Sequence, residues 1–302
     1  MDVSGYSYLL YMIVIMIIAG MLRDTGYLRI AFNFISEKIR SKRAVVVLTS
    51  MIGGVVPIPG RVLVSAGILD SIAPDKRVHP QSRSKFGVID YLSTHHYYLW
   101  SPLEKTIIVP MAALGLTYTE MLSHTAGLLI ITLFYVLGYI FLKLREDDIH
   151  LKPSVDDKSH KKIQFPLAYI NWGLLAVIAI VIFLSGIAKS YNSEIKDVIE
   201  SYSFLNMTTV SGFVTISSIA FTASLIMGSS GKYAGLVALL ATIYGIEYLT
   251  WFIAIEYVGY LISPMHKCLH IGRMYFNTPW KMYAQTLGGW CALMLGYAAF
   301  TV

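Results

Sequence analysis

The residues of this chain that can do chemistry are polar groups set into apolar surroundings. In "GGVVPIPGRVLVSAGILD", Pro57, Pro59 and Gly60 stand directly before Arg61. Two prolines and a glycine unwind a helix. The freed N–H groups can hold an anion, and an adjacent guanidinium can take a carboxylate or oxyanion through paired hydrogen bonds. The competing role for Arg61 is structural, snorkelling or pairing with Asp70 or Asp90. A second polar stretch, "TTVSGFVTISSIAFTAS", carries Ser211, Gly212, Thr215, Ser217, Ser218 and Thr222. Its hydroxyls suit substrate or ion contact, and its small residues equally suit close helix packing.

Two further stretches echo each other. "WSPLEKTIIV" and "ISPMHKCLHI" share Ser-Pro-x-x-Lys at an offset of 162 residues. Pro102 and Pro264 should break their helices and free carbonyls upstream, with Ser101 and Ser263 filling the gap. Glu104 and His266 occupy equivalent places, and ionisable groups at membrane depth are costly and point to function. Placement at the membrane interface is the plainer role for both. Lys105 and Lys267 can attract an anion or reach lipid phosphate. Glu247 and Glu256 lie in one apolar run, Tyr233 to Ile262. Nine residues apart, they fall on opposite faces of a straight helix. Glu247, read as the deeper of the two, is the expected proton carrier, and Asp90 is expected to pair with the neighbouring basic loop.

His95, His96, His266 and His270 raise the question of a metal. His266 and His270 share a helical face, but Arg273 lies on it too and no carboxylate completes a ligand set. No metal and no cofactor is expected, apart from Na⁺ as a coupling ion. Neither a Ser-His-Asp order nor a phosphate loop stands out, so the chain does not read as an enzyme.

The elements that position these groups follow from composition. Of 302 residues, 56% are hydrophobic and only 14% charged, with mean hydropathy +0.61. A soluble domain is usually nearer about 25% charged. The expected class is all-α and polytopic in a membrane. The net charge of +6 fits basic cytoplasmic loops rather than nucleic acid. Cys268 and Cys291 alone imply no disulfide framework, and the 21 tyrosines fit interfacial belts and packing.

Spans are expected near Tyr6–Leu22, Met121–Leu142, Pro166–Ile187 and Tyr283–Val302, with an interfacial amphipathic helix within Arg23–Arg43. Basic residues flank the Pro57–Gly60 break on both sides: Lys38, Arg40, Lys42 and Arg43 before it, Lys76, Arg77, Arg83 and Lys85 after it. Each arm has about 13 residues and reaches roughly 20 Å, short of a core about 30 Å thick. The segment about 44–72 therefore reads as a re-entrant hairpin open to the cytoplasm. A second hairpin, about 207–228, is expected to open outside. Residues 1–145 and 165–302 then form two repeats of opposite orientation, joined by a cytoplasmic linker, 146–164, with both termini outside.

The motif "GGVVPIPGRVLVSAGILD", with "VIDYLSTHHYYLWSPLEKTIIV" and "GYLISPMHKCLHIGRMYF", resembles the membrane family called domain of unknown function 401. That family is placed in the ion-transporter superfamily of secondary carriers. The resemblance implies two hairpins meeting at a central site in a bacterial or archaeal inner membrane. The expected function is secondary transport of a small anion, coupled to H⁺ or Na⁺. Arg61, the tip amides and the hydroxyl-rich stretch would hold substrate, and Glu104, Glu247 or His266 would carry the coupling ion. Two alternatives stay open: a non-transporting membrane subunit that binds partner proteins, and an intramembrane enzyme using the histidines. Membrane lipid and the anion are the expected partners, with a homodimer or larger membrane complex also in view.

Overall fold

A computed structural model describes residues 38–55, 61–74, 79–150, 172–228 and 230–302, with single positions elsewhere. Most of the expected first span and of the interfacial helix, Pro57, Pro59, Gly60 and the linker beyond residue 150 lie outside the described residues. Among those described, every regular element is helical.

The first half holds α1 (Lys42–Val55), α2 (Arg61–Ile72) and α3 (Pro80–Ser93), then a 3-10 turn, His96–Leu99, followed by α4 (Lys105–Leu114) and α5 (Tyr118–Lys143). The second holds α6 (Trp172–Ser190), α7 (Asn192–Ser201), α8 (Val210–Met227), α9 (Ser230–Tyr244), α10 (Leu249–Ile262), α11 (Lys267–Phe276) and α12 (Trp280–Ala299). Two helices among the described residues, α5 and α8, are long and apolar enough to cross a membrane.

The helices α1 and α2 pack against each other, and both open ends are held at one end of α5. Arg43 Nε donates to the Leu144 carbonyl at 2.8 Å. The His150 N–H donates to the Ile72 carbonyl at 2.8 Å. The chain thus enters and leaves this pair on the same face. Arg83 fastens that face: it pairs with Asp70 and donates to the carbonyls of Pro74 and Tyr275, each at 3.0 Å. One planar guanidinium can serve all three because its donors fan out in a fixed fork.

The second hairpin differs from expectation. No break falls within Thr208–Ser224: α8 runs unbroken from Val210 to Met227. In an apolar helix a hydroxyl need not unwind anything, since it can bond locally or to a neighbour. The turn comes at Gly228, in the left-handed region at φ 54°, which favours glycine. The long run from Tyr233 is also divided. Gly245, at φ 117°, and a 3-10 turn, Ile246–Tyr248, separate α9 from α10.

All residues of α10 from Leu249 to Leu261 are buried, as expected of a helix apolar all round. It packs against α5, α8, α9 and α12. The two halves exchange contacts: α2 packs on α11, and α9 on α4. Helices α5 and α12 pair antiparallel. Tyr135 donates to the Thr286 carbonyl at 2.6 Å, Trp290 Nε1 donates to Thr132 at 3.3 Å, and Thr132 meets Met294 Sδ at 3.6 Å.

Candidate functional site

Both Ser-Pro stretches interrupt their helices, and they do so with the same hydrogen bonds. The Ser101 hydroxyl accepts from the Leu103 N–H at 3.3 Å, and that of Ser263 from the Met265 N–H at 3.1 Å. The Ser101 carbonyl accepts from the Glu104 N–H, and the Ser263 carbonyl from the His266 N–H, each at 3.0 Å. Glu104 and His266 then stand as extended N-caps of α4 and α11. Proline has no N–H and its ring blocks the preceding turn, so the serine supplies the local bonds that a continuing helix would have made. Each following helix ends on a left-handed residue, Gly115 at φ 77° and Asn277 at φ 54°.

The two breaks abut in the core. The Tyr98 and Tyr260 hydroxyls meet at 3.2 Å, and Tyr257 donates to the His95 carbonyl at 2.7 Å. His95 Nε2 lies 3.2 Å from His266 Nε2. The Tyr260 ring stacks on His266 with centroids 4.1 Å apart. Tyr91 donates to the Leu261 carbonyl and lies 3.1 Å from His266 Nδ1. Tyr97 donates to Glu104, whose other oxygen is 3.8 Å from Lys105 Nζ. Cys268 completes the group: one ligand atom each from His95, His266 and Cys268 lie within 4.8 Å of one another.

Two more buried carboxylates lie on the helices leading into the breaks. Asp90 on α3 is fully buried, and its Oδ1 accepts from Ser65 of α2 at 2.5 Å. Its Oδ2 has no hydrogen-bond partner among the described residues. Among the described residues Asp90 pairs with no basic side chain of the neighbouring loop, where Arg83 is taken up by Asp70 and Lys85 by Asp148. Glu256 on α10 is also fully buried, and neither carboxylate oxygen has a hydrogen-bond partner among the described residues. The depth expected of Glu247 belongs to Glu256; Glu247 is exposed in the 3-10 turn, because Gly245 ends the helix before it.

The other expected site residues spread out. Arg61 opens α2, while its side chain lies outside the described residues. Ser211 and Ser218 are exposed and Thr215 is half-buried on α8. Gly212 is buried against the Asn206 carbonyl. Ser217 accepts from Trp251 Nε1 at 2.9 Å. These positions line a packed helix and form no tip. The second tip is Gly228 itself, where an added Cβ would lie 2.6 Å from Met265 Cβ. It therefore touches the Ser263–His266 break, which Ser263 also ties to α8 by donating to the Leu225 carbonyl at 2.5 Å. His270, expected to share a face with His266, turns instead to the Pro264 carbonyl at 2.7 Å. His95, Asp90, Glu256 and Cys268 were not among the expected site residues. The sequence raises His95 only as a candidate ligand for a metal that is not expected, and for the others the signal is an ionisable type in an apolar run.

No curated protein and no solved structure matches the chain. A family model does: "Protein of unknown function (DUF401)" matches residues 3–170, a stretch that includes the first hairpin and the first Ser-Pro break. That match covers more than half of the 302 residues, and the chain belongs to the DUF401 family.

Proposed function

We propose that the protein is a multi-pass membrane carrier, built from two inverted repeats, in which an inward proton or Na⁺ gradient drives uptake of a small anion. One observation carries the reading: the two Ser-Pro breaks, 162 residues apart and bonded alike, meet through Tyr98 and Tyr260 in one buried polar core. Helix starts support the repeat, since Lys105 and Lys267 open α4 and α11, and Tyr118 and Trp280 open α5 and α12, at the same offset. The offset partners α5 and α12 run antiparallel and touch at Thr132 and Met294, again 162 apart. A residue meets its own counterpart only near a two-fold axis, and antiparallel counterparts place that axis across the helices.

Membrane placement rests on apolar exposure and on charge. Phe134 and Leu142 on α5 and Val210 on α8 are 74%, 84% and 83% exposed, which suits lipid contact. Arg43, Arg83, Lys85, Lys143 and Arg145 gather at one end of the molecule with the open end of α1 and α2, which suits the cytoplasmic face. On this reading α12 runs outward and the C-terminus lies outside. Non-helical backbone at membrane depth persists where protein or a polar cavity covers it, and the breaks meet that condition. Glu256, Asp90 and Glu104 are then the groups able to carry a proton through the core.

The test is uptake into vesicles reconstituted with the full chain. An imposed inward proton gradient should drive accumulation of one member of a panel of small carboxylates and oxyanions. Glu256→Gln should remain folded and lose gradient-driven accumulation. Failure of every anion under both proton and Na⁺ gradients removes the carrier reading and leaves a membrane subunit.

A further inference from the structure

The imidazoles of His95 and His266 are held in a fixed sense. His95 Nδ1 lies 2.5 Å from the Tyr91 carbonyl oxygen, and His266 Nδ1 lies 3.1 Å from that of Tyr260. A carbonyl oxygen only accepts, so each Nδ1 carries the hydrogen. In neutral rings each Nε2 then presents a lone pair, and the two Nε2 atoms face each other at 3.2 Å. Lone pairs at that separation repel unless positive charge lies between them.

We propose that His95, His266 and Cys268 form a binding site for a divalent cation of the zinc class. Zinc–nitrogen bonds of about 2.0–2.1 Å in tetrahedral array set the two nitrogens about 3.3 Å apart, and the structure has them at 3.2 Å. A zinc–sulfur bond of about 2.3 Å asks for nitrogen–sulfur separations near about 3.6 Å. The three ligand atoms already lie within 4.8 Å of one another, and three protein ligands leave the fourth tetrahedral position to a water. Two features outside the ligands support it. Each Nδ1–H donates to a backbone carbonyl, the arrangement that orients a metal-binding histidine. Cys268 stands in the first turn of α11, where the helix dipole favours an anionic ligand. The histidines come from opposite breaks, so a bound cation clasps the two halves together.

This site stands apart from the carrier reading, because binding is read in detergent without transport. The full chain, stripped of metal, is titrated with Co²⁺ as the spectroscopic probe. One Co²⁺ per chain should bind with tetrahedral d–d bands and a thiolate-to-cobalt charge-transfer band, and Zn²⁺ should displace it. Cys268→Ser should lose the charge-transfer band, and His95→Gln should weaken Co²⁺ by more than about tenfold. Cys291→Ser should bind as the parent does. If His95→Gln fails to fold, Cys268→Ser still decides, because that side chain is only half-buried. Absence of Co²⁺ binding, as a proton shared between the imidazoles would give, overturns the proposal. So does a spectrum unchanged in Cys268→Ser.

Discussion

The phenol oxygens of Tyr98 and Tyr260 lie 3.2 Å apart, each belonging to the residue three before the serine of its own Ser-Pro break. The pair is buried, so each hydroxyl depends on the protein for its partners. Tyr98→Phe and Tyr260→Phe should each destabilise the chain by about 1 kcal/mol. The double variant should cost clearly less than the two together, because the second substitution removes a group already deprived of its partner. Denaturant unfolding in detergent measures the cycle, and strictly additive effects would show that the hydroxyls do not bond to each other.

Gly228 should resist substitution where Gly67 accepts it. Alanine at Gly228 must adopt φ 54° and press on Met265, at a cost of about 1–2 kcal/mol for the backbone alone. At Gly67, inside α2, an added Cβ meets nothing within 4 Å, so Gly67→Ala should be neutral or stabilise by about 0.5–1 kcal/mol. Thermal unfolding of the two variants side by side gives the comparison. A tolerated Gly228→Ala would mean that the turn does not seat against the second break.

Ser41, Gln81 and Glu146 should lie on one side of the membrane. Ser41 precedes α1, Gln81 follows the hairpin, and Glu146 follows α5, and all three are exposed. Single cysteines at these positions, introduced into a Cys268→Ser, Cys291→Ser chain, should react with an impermeant thiol reagent from the same face of the vesicle. Labelling of Ser41 and Gln81 from opposite faces would turn the hairpin into an ordinary crossing.

Asp148 should make the end of α5 sensitive to acid. Partial burial pushes its carboxyl upward. Hydrogen bonds from Ser82, Lys85 and the Arg145 N–H, with the Lys85 charge, outweigh this and hold it below the ordinary 3.8. A carboxyl with a lowered folded-state value stabilises fully above its unfolded value and loses that contribution as pH falls through the folded one. Protection from hydrogen exchange around Leu144–His150, taken relative to the intrinsic rate at each pH, should therefore be high near about pH 5 and fall on acidification. Asp148→Asn should show the low protection already at the higher pH. Equal exchange in both proteins would remove Asp148 as the tie.

The sequence disclosed those features of the fold that act locally. Proline at 102 and 264 follows a serine that makes the local bonds, and both breaks lie where the motif puts them, whereas Pro110 sits inside α4. Helices α1 and α2 flank residues 56–60, which lie outside the described residues. Serine and threonine were a poor guide, because Ser217 can bond Trp251 without unwinding α8. Glycine was the better signal, but Gly228 and Gly245 become decisive only through positive φ, which composition does not display. Reading Tyr233 to Ile262 as one helix placed Glu247 deep and hid Glu256. The His95–His266 contact joins residues 171 apart, and no local spacing foretells it.

The exchange of α2 onto α11 and α9 onto α4 has a consequence for dissecting the chain. Each half lends an arm to the other, so a fragment expressed alone keeps the arm and lacks the surface it should grip. Cutting the chain within residues 151–166 would sever covalent continuity while leaving those grips available. Two such fragments should be inert and insoluble apart, and should rescue each other only when made in the same membrane, as interlocked fingers hold without a common wrist.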